Sequence, residues 1–235
     1  MRYWLLWVML AASLSAWPSA ADADRDSRIT TVALPQAPLV VRVYDAGPRP
    51  PSMVQRALRE AAQIVREGSI EVIWEPCARS NPARCDRPLP STELALRLVS
   101  MPVNASYRGT LPLGNSLIAP GVQHGTLATV YVDRVEWLAA QSGADIAVLL
   151  GRTVAHEIGH LLIGTNHHAT GGLMRARWSR EELQRNNPAD WRFTADDGVE
   201  MRRGMLARSG QDTPDALVWN RPSRPTRDGD ERAAY

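Results

Sequence analysis

TVAHEIGHLLIGTNHHATGGLMRARW, residues Thr153 to Trp178, holds four of the five histidines of a 235-residue chain within thirteen positions. His156, Glu157 and His160 stand in a run whose apolar residues Ile146, Leu149, Leu150, Val154, Ile158, Leu161 and Leu162 give a helix extensive apolar surface. Histidines four apart in a helix lie on one face, one turn above the other. A helix this apolar is a buried element, and buried imidazoles and a carboxylate need partners. Two imidazoles on one face can share one Zn²⁺, and Glu157, beside the first of them, reaches an open coordination position. Asp145 is placed to cap the helix, and Gly164 to end it in the left-handed conformation. His167 and His168 follow at once, so the turn returns a third imidazole towards the first two. H-E-x-x-H also occurs in unrelated helices; the returning histidine sets this one apart.

With these residues in hand, the segment resembles the metzincin metallopeptidases, particularly the matrixin-like ones. Their pattern is H-E-x-x-H-x-x-G-x-x-H followed by a Met-containing turn. This chain departs by one residue, since Gly164 stands four after His160 where the family has three. The third ligand is therefore open. Keeping the Gly-to-His spacing picks His167, whereas matching the histidine and small residue before Gly-Leu-Met picks His168, the preferred choice. The resemblance implies an α+β, zincin-like fold with a mixed twisted sheet, a long active-site helix, a Met-turn at Met174 and C-terminal helices. It also implies Zn²⁺ as cofactor, Glu157 as general base and a peptide or protein as substrate. An extended substrate is expected to pair with an edge strand near Leu117-Ile118 or Leu127 to Val130. Some metzincins place a tyrosine just after the Met-turn; here Arg175 follows Met174 and no tyrosine is near. The likeness runs loosely from Leu39 to Trp178 and is specific only from His156 to Met174.

The rest of the chain is consistent with a single domain. Apolar residues make up 44% and the net charge is only +2, a balance that argues for a folded protein and against nucleic acid as a main partner. Residues 1–23 carry Arg2, an apolar run from Tyr3 to Leu14 and the small-residue site Ala21-Asp22-Ala23. They read as a secretory signal peptide, with an uncleaved anchor as the alternative. No later segment reads as membrane-crossing, so a secreted or periplasmic protein without stable membrane insertion is expected. Cys77 and Cys85, with seven residues between them, can close a disulfide; two free thiols are the alternative. Strands are expected at Leu39–Gly47, Ser69–Pro76, Glu93–Met101 and Leu127–Val132, and helices from a Ser52 cap to Gly68, at 146–163, near Ser179 and over Thr194–Ala207. The catalytic domain is expected to span 24–208, with 209–235 a disordered tail. Trp178 has two readings, a wall of the substrate pocket or a core aromatic, and His124 reads as a surface loop residue. The competing functional reading is a zinc-binding interaction or adhesion domain without turnover. Glu157 separates the two, because a pure binder has no need of a base there.

Overall fold

β-branched residues dominate LVVRVYD, which forms β1, Leu39–Asp45. The chain is described by a computed structural model over residues 37–77, 85–100, 112–118 and 125–211, all within one compact unit. The expected signal peptide, His124 and residues 212–235 of the expected tail lie outside the described residues. Helix α1, Pro51–Glu67, buries Ala57, Leu58, Ala61, Ile64 and Val65 along one face. Its start differs from the expectation: Pro50 is the N-cap and Ser52 lies inside the first turn without a capping bond. Pro51 explains this, because proline suits the first helical position, where its fixed φ is helical and its missing N–H costs nothing. Gly68 ends the helix, but the left-handed residue is Ser69, at φ 65°.

The remaining strands are β2, Val72–Pro76; β3, Glu93–Val99; β4, Gly114–Leu117; and β5, Leu127–Tyr131. They form one mixed sheet in the order β2-β1-β3-β5-β4. All pairs are parallel except β4 with β5. Leu127 to Val130 is therefore not an edge, since β5 pairs with β3 on one side and β4 on the other. Among the described residues the edge at this end is β4. Alternation along a strand reports which face is buried and carries no information about neighbours.

Helix α2, Val132–Ser142, leads to α3, Ile146–Ile163; α4, Arg180–Arg185, a 3₁₀ turn at Pro188–Trp191 and α5, Ala195–Gln211, complete the domain. Asp145 caps α3 by accepting from the N–H groups of Ala147 (2.8 Å) and Val148 (3.1 Å). Gly164 ends it at φ 77°. Ser179 and Glu182 form a reciprocal capping box at α4. The helix at the C-terminus runs to Gln211, four residues past the expected helix end at Ala207. Helix α3 packs against α1, α2, α5, β4 and β5, which makes it the centre of the core. By length and mean hydropathy (1.4) it is apolar enough to cross a bilayer, contrary to the reading from sequence, but that surface is buried within this domain.

Two buried arginines tie distant segments together. Arg42 on β1 donates from Nε to Glu93 Oε2 (2.7 Å) and from its Nη atoms to the carbonyls of Arg87 (2.8 Å) and Pro88 (3.1 Å). Burial works to raise the Glu93 pKa, but hydrogen bonds from Arg87 and Arg42 override it and hold the carboxyl below its ordinary value. Cys77 and Cys85 are joined by a disulfide, and Tyr44 donates to the Cys85 carbonyl (3.2 Å). Arg208 on α5 donates to the carbonyls of Leu161 (3.2 Å), Ser91 (2.8 Å) and Gly125, holding α5 against the end of α3.

Candidate metal centre and cleft

His156 and His160 are buried on α3 with their Nε2 atoms 3.0 Å apart. Each ring is fixed from behind by a backbone carbonyl: His156 Nδ1 donates to Leu173 O (2.9 Å) and His160 Nδ1 to Thr165 O (2.7 Å). A carbonyl oxygen only accepts, so both Nδ1 atoms carry the proton, and in the neutral rings both Nε2 atoms are bare lone pairs. Two lone pairs facing each other at this distance cannot hydrogen-bond and repel. A cation between them resolves the repulsion, and carbonyl bonds behind ligating imidazoles are how such rings are oriented. His168 closes the group: its ring centroid lies 4.8 Å from that of His160 and 5.4 Å from that of His156. Ligand nitrogens of the three lie within 4.8 Å of one another. His167 is exposed and is not part of this group; its backbone N–H donates to Thr165 Oγ1 (3.1 Å).

The electrostatics favour neutral rings. Burial pushes the His156 pKa down to about 3, with His160 adding to the effect and the Leu173 bond opposing it. Burial lowers His160 as well, and lowers His168 even though that residue opens to solvent. Neutral imidazoles with free Nε2 atoms are the form that ligates zinc, and three nitrogen donors beside an open cleft suit a catalytic zinc with a free position. The residues fit the ion.

Glu157 is 5% exposed and points away from the core into the space between α3 and β4. Ser116 Oγ lies 2.7 Å from Glu157 Oε2 and 2.8 Å from the Glu157 carbonyl oxygen. Burial pushes the Glu157 pKa up to about 7, and the bond from Ser116 opposes it. The next strand position on that side, Gly114, gives room: a Cβ there would run into the Glu157 carboxyl group.

The Met-turn position is built tightly beneath the helix. Met174 is 2% exposed, and its Sδ would lie 2.7 Å from a Cβ added to Gly159, between the two helical histidines in sequence. The turn is held by Ala169 N–H to Met174 O (2.9 Å) and Leu173 N–H to Arg192 O (2.8 Å), with Gly172 at φ 67°. The same turn that buries Met174 thus supplies the Leu173 carbonyl that orients His156. Trp178 lines the cleft and also packs against the core. It lies edge-on to His156 at 5.7 Å and edge-on to the buried Trp191 at 5.4 Å.

These groups line a cleft of about 610 Å³ between β4, α2, α3 and the segment 175–178. Trp137, 46% exposed, and Leu138 supply apolar wall; Arg134, Arg175 and Arg177 also line it, and among the described residues Glu157 is its one acidic residue. The reading from sequence missed Ser116, Gly114 and Trp137. Ser116 and Gly114 lie in a Gly- and Pro-rich stretch, and their spacing of two gains meaning only once β4 is known to be a strand.

No protein-family profile matches the chain, and no curated protein sequence matches it. Among solved structures, the chain is similar to archaemetzincin from Methanopyrus kandleri, at 16% identity and a TM-score of 0.47, covering 72% of this chain and 96% of that one.

Proposed function

We propose that the protein is a zinc-dependent hydrolase whose metal ligands are His156, His160 and His168. More particularly, we read it as a metzincin-like endopeptidase, with Glu157 as general base and Met174 in the Met-turn. The observation that carries this is the pair of opposed, proton-free Nε2 atoms, with a third imidazole alongside and a buried carboxylate at the same cleft. The reading stops short of the matrixin branch, whose third histidine follows the second by six residues, where His168 follows His160 by eight.

Lewis-acid chemistry, the acidification of water and the polarisation of a carbonyl oxygen, is what a zinc ion supplies when bound. Glu157 takes the water's proton at its carboxylate and later returns one to the leaving amine. Ser116 supports both states without moving a heavy atom. It donates a hydrogen bond to Oε2 when the carboxylate is ionised, and when Oε2 is protonated it accepts a hydrogen bond from that O–H while its own O–H donates to the Glu157 carbonyl. Trp178 and Trp137 keep the walls apolar, which strengthens electrostatic interactions inside the cleft. An extended peptide would align along β4, whose free edge among the described residues faces away from β5. Export to the periplasm or beyond belongs to the same reading, and the disulfide suits an oxidising compartment.

A zinc-binding interaction domain without turnover is the contrasting account, and it leaves Glu157 without a purpose. The experiment is hydrolysis of casein and of extended peptides by protein whose zinc content has been measured, wild type beside Glu157→Gln. The variant is expected to keep its zinc and lose at least about 10²-fold in rate, the lower end of a general base's contribution. Zinc-loaded wild type with no chelator-sensitive hydrolysis would favour the binding domain.

A further inference from the structure

We propose that the inward face of β4 is the seat of the general base, with Ser116 as a positioning residue that holds the Glu157 carboxylate in one rotamer. Two observations on different residues support this. Ser116 is buried, and its Oγ is 2.7 Å from Oε2. Gly114, two positions earlier and so on the same face of the strand, leaves open the space that Oε1 occupies. One oxygen is held by a hydroxyl and the other fits where a side chain is missing. The outward residues Asn115 and Leu117 are exposed, the latter at 58%.

The arrangement answers a physical need. A glutamate has three side-chain torsions, and a base that must meet water at one place loses rate when its carboxylate wanders. Among the described residues the hydrogen bond from Ser116 on β4 is the one that reaches the carboxylate. The strand that would align an extended peptide then also aims the base. Ser116 also reaches the Glu157 carbonyl (2.8 Å), which is a link between β4 and α3 as such. A test must therefore separate aiming the carboxylate from holding the strand.

The consequence for turnover rests on the peptidase reading; the positioning itself does not. The test compares wild type, Ser116→Ala, Ser116→Thr and Gly114→Ala for zinc content, melting temperature, kcat and KM, with crystal structures of the zinc-loaded proteins. Ser116→Ala is expected to bind zinc normally and to show Glu157 in a new rotamer or spread over several. Its kcat should fall roughly 10- to 100-fold with KM little changed, approaching the ~10²-fold loss that a misplacement of about 1 Å can cause. Ser116→Thr, which keeps the hydroxyl, should restore the rotamer and most of kcat. Gly114→Ala should displace the carboxylate from the other side. A Glu157 rotamer unchanged in Ser116→Ala overturns the inference, whatever the activity. So does a loss of kcat that Ser116→Thr fails to restore when its hydroxyl occupies the same place. A displaced carboxylate in a protein that hydrolyses no peptide would sustain the positioning and defeat the peptidase reading instead.

Discussion

Replacing Glu157 by glutamine should stabilise the metal-free protein, and by an amount that depends on pH. The carboxyl group is 5% exposed, and burial pushes its pKa from 4.5 to about 7. The folded protein therefore holds this proton more tightly than the unfolded chain does. Stability contributed by the protonated form is complete below about pH 4.5 and is lost as pH rises through 7. Each pH unit between the two values is worth about 1.4 kcal/mol, so full ionisation at pH 8 costs about 3 kcal/mol. Glutamine has almost the same shape, can accept the Ser116 hydrogen bond and never ionises. At pH 8 the metal-free variant should be more stable by up to about 3 kcal/mol, or roughly 6–12 °C in melting temperature for a domain of this size. At pH 5 the two proteins should nearly coincide. Their histidines are identical, so histidine titration cancels in the difference. The assay is thermal or urea denaturation of chelator-treated wild type and variant at both pH values. In zinc-loaded protein the gap should narrow, because a nearby cation favours the carboxylate. A gap that is absent at pH 8, or equally large at pH 5, would refute the reasoning.

Alanine at His156, His160 or His168 should each remove stoichiometric zinc, whereas His167→Ala should keep it; elemental analysis of the four purified variants decides this. Gly159→Ala places a methyl group 2.7 Å from Met174 Sδ and from Phe193 Cε1, so denaturation should show a loss of about 1–3 kcal/mol together with weaker zinc binding. Arg42→Met leaves the buried Glu93 with Arg87 as its remaining ion-pair partner and should cost roughly 3–5 kcal/mol, read by urea denaturation at neutral pH.

The features legible in the sequence were those with local causes. Asp145 and Gly164 bound α3 because a cap and a left-handed glycine act within a few residues, and the helix start expected near Ser179 has a local cause too, a capping box that the structure adds. Ser52 misled because a serine suits a cap, but the adjacent Pro51 took the first helical position. The sheet order was not legible: β4 is four residues, GNSL, with no apolar alternation, and its place outside β5 comes from long-range pairing. The convergence of His156, His160 and His168 could be anticipated as far as the helix and the turn. What orients them could not. The Leu173 and Thr165 carbonyls are backbone atoms that every residue possesses, and only the folded turn brings them behind the rings.

The central claim is that one metal ion sits among three imidazoles with Glu157 outside its coordination. Diffraction from crystals of the zinc-loaded protein, with anomalous maps on either side of the zinc edge, tests it most directly. The account predicts one zinc peak per chain, bonded to Nε2 of His156 and His160 and to His168, with Glu157 beside Ser116 and not bonded to the metal. No peak at that place, or a zinc held by Glu157 or His167 in place of His168, would contradict it.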